Sequence, residues 1–319
     1  MRKTFMFLLL LVLAAFAAVV VYVQINKEPG RTVAELSERW ATPPSTFMDI
    51  KGMSIHLRDE GPRSDMQPIL LIHGTSASLH TWDGWTSALS THRRVIRFDL
   101  PGFGLTGPEP TNTYTIEHYA SVVVAVLDAL DIDSAVIGGN SLGGNIAWVT
   151  AVLHSERVSA LVLVDPSGYA FKSESVPIAF RLSQSKLASL LLKDFIPRSI
   201  VEGSVKNVYG DPNLVTNELI DRYYELALRE GNRDALNERF LQSSPGAFTE
   251  QLGSIDVPTL IMWGNQDRLI PPALGKRFEQ DISNSQLVMF DELGHVPHEE
   301  DPVATVANVQ AFLASLNTR

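Results

Sequence analysis

The chain predicts an α/β fold: a mostly parallel central sheet, a late insertion of helices, and one transmembrane helix ahead of both. Three observations carry this. From residue 69 onward, short apolar runs alternate with amphipathic helical stretches, the pattern of parallel strands covered on both faces. Between Gly168 and about Ser254 the alternation stops and helical periodicity alone is found. Residues 5–23 are one unbroken apolar or aromatic run.

That run comes first in the chain. Arg2 and Lys3 precede it, and its length gives a helix of about 28 Å, close to the hydrocarbon thickness of a bilayer. Two readings compete: a retained signal anchor over residues 1–25, and a signal peptide cleaved at Ala15-Phe16-Ala17. Cleavage would leave Ala18-Val19-Val20-Val21-Tyr22-Val23 bare at a new terminus, so retention is the better reading. The basic pair predicts a short cytoplasmic tail and an exported domain, with Tyr22 near the outer interface. Residues 26–44 read as a connector, broken at Pro29-Gly30 and Pro43-Pro44, with a helical stretch over 33–40.

Residues 47–50 and 54–58 alternate around Lys51-Gly52 and predict an antiparallel hairpin. Residues 69–72 are a buried parallel strand, 82–89 a short helix and 94–98 the next strand. Apolar positions at 116, 119, 122/123, 126/127 and 130 predict an amphipathic helix. Strand 135–137, helix 142–153 and strand 160–164 follow. The insertion reads as helices over 178–192, 216–230 and 233–242. Strands 259–263 and 286–290 and a closing helix over 303–316 complete the chain. The expected organisation is a core of 45–169 and 251–319 with a helical cap of 170–250 over the carboxyl ends of the sheet, where open α/β sheets keep their sites. The apolar cap positions, Phe180, Leu187, Leu190, Leu191, Leu192 and Phe195, exceed the needs of one thin helix layer. They read as ordinary helix core, as an acyl-chain pocket (Phe180, Leu187 and Leu191 foremost, with Ser76), or as both.

Composition narrows the chemistry. The 319 residues carry a net charge of −10 and no long basic tract, which argues against a nucleic-acid partner. Cysteine is absent, so disulfides, a cysteine nucleophile and cysteine-ligated metal are excluded. The histidines show no metal-ligand spacing, and no cofactor is expected.

The candidate nucleophile is Ser141 in Gly139-Asn140-Ser141-Leu142-Gly143, between a strand and a helix. A turn that tight needs near-absent side chains two before and two after the serine, and it lifts the hydroxyl over the sheet edge. The hydroxyl needs a base. His295, past the last strand, is the candidate; His298 is the rival, but its place before Glu299-Glu300-Asp301 suits a solvated or capping role better. The imidazole needs a carboxylate behind it. Asp267 follows strand 259–263, with Asp165 the competing acid. The oxyanion donors are expected to be the N–H groups of Leu142 and Thr75, with Ser76 the runner-up to Thr75. His73 reads as a structural histidine beside them. Asn140 orients the elbow or serves structure alone. Gly102-Phe103-Gly104-Leu105-Thr106-Gly107 imitates a dinucleotide fingerprint, but Pro108 and Pro110 interrupt where its helix would run.

These residues resemble the α/β-hydrolase superfamily, in the branch with a helical cap. The resemblance covers residues 47–316 and rests on His73-Gly74 with Trp82, Asp99-Leu100-Pro101-Gly102-Phe103-Gly104, the elbow at 139–143, Asp267 and Gly294-His295. Similar epoxide hydrolases and haloalkane dehalogenases have aspartate where this chain has Ser141; cofactor-free haloperoxidases share the serine triad. The anchor, the cap and His73-Gly74-Thr75-Ser76-Ala77-Ser78 resemble bacterial inner-membrane-anchored esterases with lipase or phospholipase A activity. That resemblance implies a periplasmic serine carboxylic-ester hydrolase acting on acyl esters or phospholipids, with homodimers formed through anchor and cap. An amidase, a carbon–carbon bond hydrolase, an acyltransferase and a perhydrolase remain open on the same triad, as does a binding protein with a dead site.

Overall fold

The computed structural model describes residues 2–25, 27–184 and 195–316. The apolar runs form one eight-stranded sheet: β1 (Thr46–Ile50), β2 (Met53–Glu60), β3 (Ile69–Ile72), β4 (Val95–Phe98), β5 (Ala135–Asn140), β6 (Val158–Val164), β7 (Thr259–Gly264) and β8 (Ser285–Phe290). Their order is β1-β2-β4-β3-β5-β6-β7-β8. The hairpin β1–β2 and the pair β2–β4 are antiparallel, and every other pairing is parallel. This is the α/β-hydrolase fold that the motifs imply.

Successive side chains of a strand point to opposite faces, and β3 shows the result. Leu70 and Ile72 join one apolar cluster and Ile69 and Leu71 join another. Each face therefore needs helices. The helices are α1 (Arg2–Ile25), α2 (Val33–Trp40), α3 (Asp83–Leu89), α4 (Ile116–Ala129), α5 (Leu142–Leu153), α6 (Ile178–Ser183), α7 (Arg198–Val208), α8 (Asn217–Ala227), α9 (Asn232–Leu241), α10 (Ala273–Asp281), α11 (Pro297–Glu300) and α12 (Pro302–Leu316). Trp85 and Leu89 of α3 with Val306, Val309, Phe312 and Leu313 of α12 cover one face. Val122, Val123 and Val126 of α4, Ile146 and Val149 of α5 and Phe278 of α10 cover the other.

The helical insertion lies between β6 and β7, as the lost alternation predicts. Its first helix spans Ile178–Ser183, within the expected 178–192. Residues 185–194, with Leu187, Leu190, Leu191 and Leu192, lie outside the described residues. Helices α7, α10 and the single-turn α11 were not expected. In α7, Val201 and Val205 make a narrow apolar stripe that packs with Tyr209, Ile220 and Val296. In α10, Gly275 and Phe278 alone are buried.

Helix α1 is long and apolar enough, by length and composition, to cross a membrane. Its last turns meet the insertion: Val23 is buried, and the Tyr22 ring lies 5.7 Å edge-on from Phe195. The connector follows suit. Thr32 and Glu35 form a capping box at α2, Trp40 Nε1 donates to Glu225 of α8 at 2.7 Å, and Arg233 of α9 donates to the Glu28 carbonyl at 3.0 Å.

Candidate active site

Parallel strands put their carboxyl ends on one edge of the sheet, and the chemistry-bearing residues gather there. Strand β5 ends at Asn140 and α5 begins at Leu142, which leaves Ser141 the whole turn. Its φ of 55° and ψ of −114° are outside the ordinary regions for a residue with a side chain. Tight packing holds it so: a Cβ on Gly139 would run into the Gly143 carbonyl, and one on Gly143 into the Ile72 carbonyl. The N–H of Leu142 opens α5, where the first amides have no intrahelical acceptor.

The loop after β3 comes within contact of the serine. A Cβ on Gly74 would stand 3.2 Å from Ser141 Cβ and 2.9 Å from Asn140 Oδ1. Ser76 has a φ of 61°, and Thr75 and Ser76 both line the cavity over Ser141. His73 fixes this loop. It is fully buried, its Nδ1–H donates to the Gly74 carbonyl at 2.7 Å, and Nε2 accepts the Leu100 N–H at 2.9 Å. Burial pushes its pKa down despite the nearby Asp99, which suits a neutral ring that accepts a hydrogen bond.

Asp267 and His295 meet behind the serine. Asp267 Oδ2 accepts His295 Nδ1–H at 2.7 Å, and Oδ1 accepts the N–H groups of Leu269 and Ile270 at 2.8 and 2.9 Å. Both residues are buried, and His295 lines the same cavity as Ser141. Backbone bonds hold the His295 loop in place: its N–H donates to the Val208 carbonyl at 2.7 Å, and its carbonyl accepts Asn140 Nδ2 at 2.9 Å. The Asn140 amide, one residue before Ser141, thus tethers the imidazole-bearing loop. One cluster of Asp, Glu and His donor atoms within 4.8 Å appears among the described residues, formed by Asp165, Asp267 and His295. Asp267 is already occupied by N–H donors, so hydrogen bonding accounts for its place there without a metal.

The rival base is elsewhere. His298 is buried rather than solvated: its ring stacks on Trp82 at 4.0 Å, and Nε2 meets Thr81 Oγ1 at 3.0 Å. Burial first, then His295 and Arg222, hold its pKa well below the usual histidine value. Its acidic neighbours also turn inward. Glu299 pairs with Arg222 and accepts from the Tyr223 hydroxyl at 2.9 Å. Glu300 accepts the N–H groups of Gly210, Asp211 and Gly294 at 3.0, 2.9 and 2.9 Å, which clamps the His295 loop to the insertion. Sequence reasoning missed Glu300; nothing local marks it.

The glycine loop at 102–107 holds no phosphate cradle. It wraps Asp99: a Cβ on Gly104 would strike that carboxylate, and the Leu105 N–H donates to it at 2.8 Å. Asp99 also accepts His56 Nδ1–H and the Leu79 N–H, each at 2.7 Å. Burial raises its pKa, but His56, with His73 and His80, together more than offset this and the carboxyl sits well below the usual range.

The cavity over Ser141 is mostly apolar. Phe180 lines it, with Ile196, Val205, Leu226, Leu236 and Leu269. The ring of Phe180 is braced edge-on by Phe240 at 5.5 Å. Among the described lining residues the one cationic side chain is Arg233, which donates to the connector.

The comparisons agree with this architecture. The chain is 30% identical over 248 residues to the uncharacterized hydrolase YugF of Bacillus subtilis (strain 168), covering 77% of this chain and 90% of that one. It is 30% identical over 275 residues to a 2-hydroxy-6-oxo-2,4-heptadienoate hydrolase of Pseudomonas putida, covering 83% and 94%. Among solved structures, a membrane phospholipase A described as a bacterial virulence factor superposes with a TM-score of 0.74 over the full length of both chains; at 22% identity this is a likeness of fold. The α/β hydrolase fold family model matches residues 67–302, and the chain belongs to that family.

Proposed function

We propose that the chain is a serine carboxylic-ester hydrolase for acyl esters with apolar chains, lipids among them, held at the bacterial inner membrane by α1 with its catalytic domain on the periplasmic side. The reading rests chiefly on one observation: the Asp267–His295 hydrogen bond and the elbow serine open onto the same apolar cavity. In this mechanism Ser141 Oγ attacks the ester carbonyl while His295 Nε2 takes its proton. Asp267 holds the Nδ1–H tautomer and stabilises the imidazolium. The N–H groups of Leu142 and Thr75 receive the oxyanion. His295 then protonates the leaving alcohol and activates water against the acyl-enzyme. The acyl chain lies along Phe180, Val205 and Leu236.

A second reading is carbon–carbon bond hydrolysis, favoured by the heptadienoate hydrolase relative. That relative's substrate is a carboxylate by name, and a buried carboxylate needs a cation or several donors. Arg233, the one cation among the described lining residues, is engaged by the Glu28 carbonyl. This favours an uncharged acyl group. The test is turnover of acyl esters of graded chain length beside a 2-hydroxy-6-oxodienoate, with Ser141→Ala as control. Ester turnover with a chain-length optimum, lost in Ser141→Ala while the fold persists, is expected. A fully active Ser141→Ala variant would end the serine mechanism, and faster turnover of the dienoate would move the chain to the second reading.

A further inference from the structure

Behind His295 lies a second carboxyl group that this mechanism leaves unused. Asp165 directly follows β6, with a φ of 43°, and is completely buried. Its Oδ1 accepts the Gly264 N–H at 3.0 Å. Its Oδ2 is buried and has no hydrogen-bond donor facing it among the described residues. The carboxyl group lies against that of Asp267: one oxygen of each and a ring nitrogen of His295 fall within 4.8 Å of one another.

Two ionised carboxylates do not share a dry site at this spacing; one holds a proton. The hydrogen bonds decide which. Asp267 receives three N–H donors, from Leu269, Ile270 and His295. Asp165 receives one. The ionisable groups that weigh most on Asp165 are Asp267 and Glu300, and His295 shares the same cluster. Burial raises its pKa well above the carboxylate range and the charge of Asp267 raises it further; the Gly264 N–H pulls the other way without offsetting them.

We propose that Asp165 is a positioning residue: a neutral carboxylic acid whose Oδ2–H donates to the Asp267 carboxylate and fixes it against His295 Nδ1. The proton stays on Asp165 throughout turnover. Asp267 keeps its charge for the imidazolium, and β6 contributes a brace between the strands that bear the serine and the aspartate. The proposal rests on Asp267 and His295 acting as the catalytic pair.

The test uses the full chain in detergent. Infrared spectra at neutral pH should show the C=O stretch of a protonated buried carboxyl group, absent from Asp165→Asn. Asp165→Ala should lower kcat about tenfold to a hundredfold, the worth of one hydrogen bond to a charged acceptor, with KM little changed. Asp165→Asn keeps a donor and an acceptor in the same volume and should recover most of that loss. If Asp165 were instead the ionised acid, no such band would appear and Asp165→Asn would be as damaged as Asp165→Ala; either result overturns the proposal. Should Asp165→Ala fail to fold, the infrared difference and the kcat of Asp165→Asn still decide. A fully active Ser141→Ala variant would remove the serine mechanism and leave the infrared result standing.

Discussion

Acidification from pH 7 to pH 5 should weaken the fold through its buried histidines, and His80 allows the size to be worked out. Its Nε2–H donates to the Trp40 carbonyl at 2.9 Å, Ser78 Oγ meets Nδ1 at 3.1 Å, and Arg58 stands 3.4 Å from Nε2. The ring is therefore neutral, and burial holds its pKa down to about 3, with Arg222 and Arg58 adding to the effect and Asp99 opposing it. In the unfolded chain the value returns to about 6.5. Above that, both states are neutral and the contribution is complete. Below it, the unfolded state binds a proton that the native state refuses. From pH 7 to pH 5 this removes about 2 kcal/mol. His73 and His298, also depressed by burial, act with the same sign. Asp165 acts with the opposite sign, because its raised pKa keeps a proton in the native state that the unfolded chain loses above about pH 4. The depressed Asp99 and Asp65 matter only as the pH falls below the unfolded carboxylate value, outside this window. Urea unfolding of the detergent-solubilised chain at pH 7, 6 and 5, beside His80→Gln, isolates the histidine, since the other groups cancel in the difference. The gap between wild type and variant should shrink by about 2 kcal/mol across the range. Parallel curves would mean that His80 takes up its proton in the native state as it does in the unfolded one, and the reasoning would fail.

Three further outcomes follow from contacts at the site. Gly143→Ala must push a methyl group into the Ile72 carbonyl; a loss of about 2 kcal/mol or more in urea unfolding is expected, together with collapse of turnover. Glu300→Ala strands the N–H groups of Gly210, Asp211 and Gly294; faster hydrogen exchange at residues 208–211 and 293–296 should accompany a fall in kcat, and unchanged exchange would refute the clamp. Leu236→Trp narrows the cavity; it should move the ester optimum to shorter chains while short-chain turnover persists, and an unmoved optimum would take Leu236 out of the acyl path.

How much of this was legible depended on how local each cause was. The elbow was readable because the need for glycine at 139 and 143 arises within five residues. The stripe of α4 was readable for the same reason. Helix α7 was not: Gly203, Lys206 and Asn207 dilute its pattern, and Val201 and Val205 become a core only once Tyr209, Ile220 and Val296 arrive. His298 was misread because three acids beside a histidine look like solvent-facing residues. Arg222, Tyr223 and three backbone amides draw Glu299 and Glu300 inward, and all of those partners but Gly294 are tens of residues away.

The order of the strands is the fact that the sequence withholds and the site needs. Ser141 follows β5, Asp165 follows β6, Asp267 lies after β7 and His295 after β8, and these are consecutive neighbours in the sheet. Adjacent strands lie about 4.8 Å apart, so β8 ends roughly 14 Å from β5. An imidazole standing straight above its own strand could not reach the serine. The loop after β8 has to fold back across two strands, and the bonds that bring it there are specific: Asn140 to the His295 carbonyl, Val208 to the His295 amide, Glu300 to Gly294. Asp165 occupies the strand end that this return path crosses. A residue there stands within reach of the Asp267–His295 pair, so under the proposal above its proton, and not only that of the pair, bears on how firmly the imidazole is aimed.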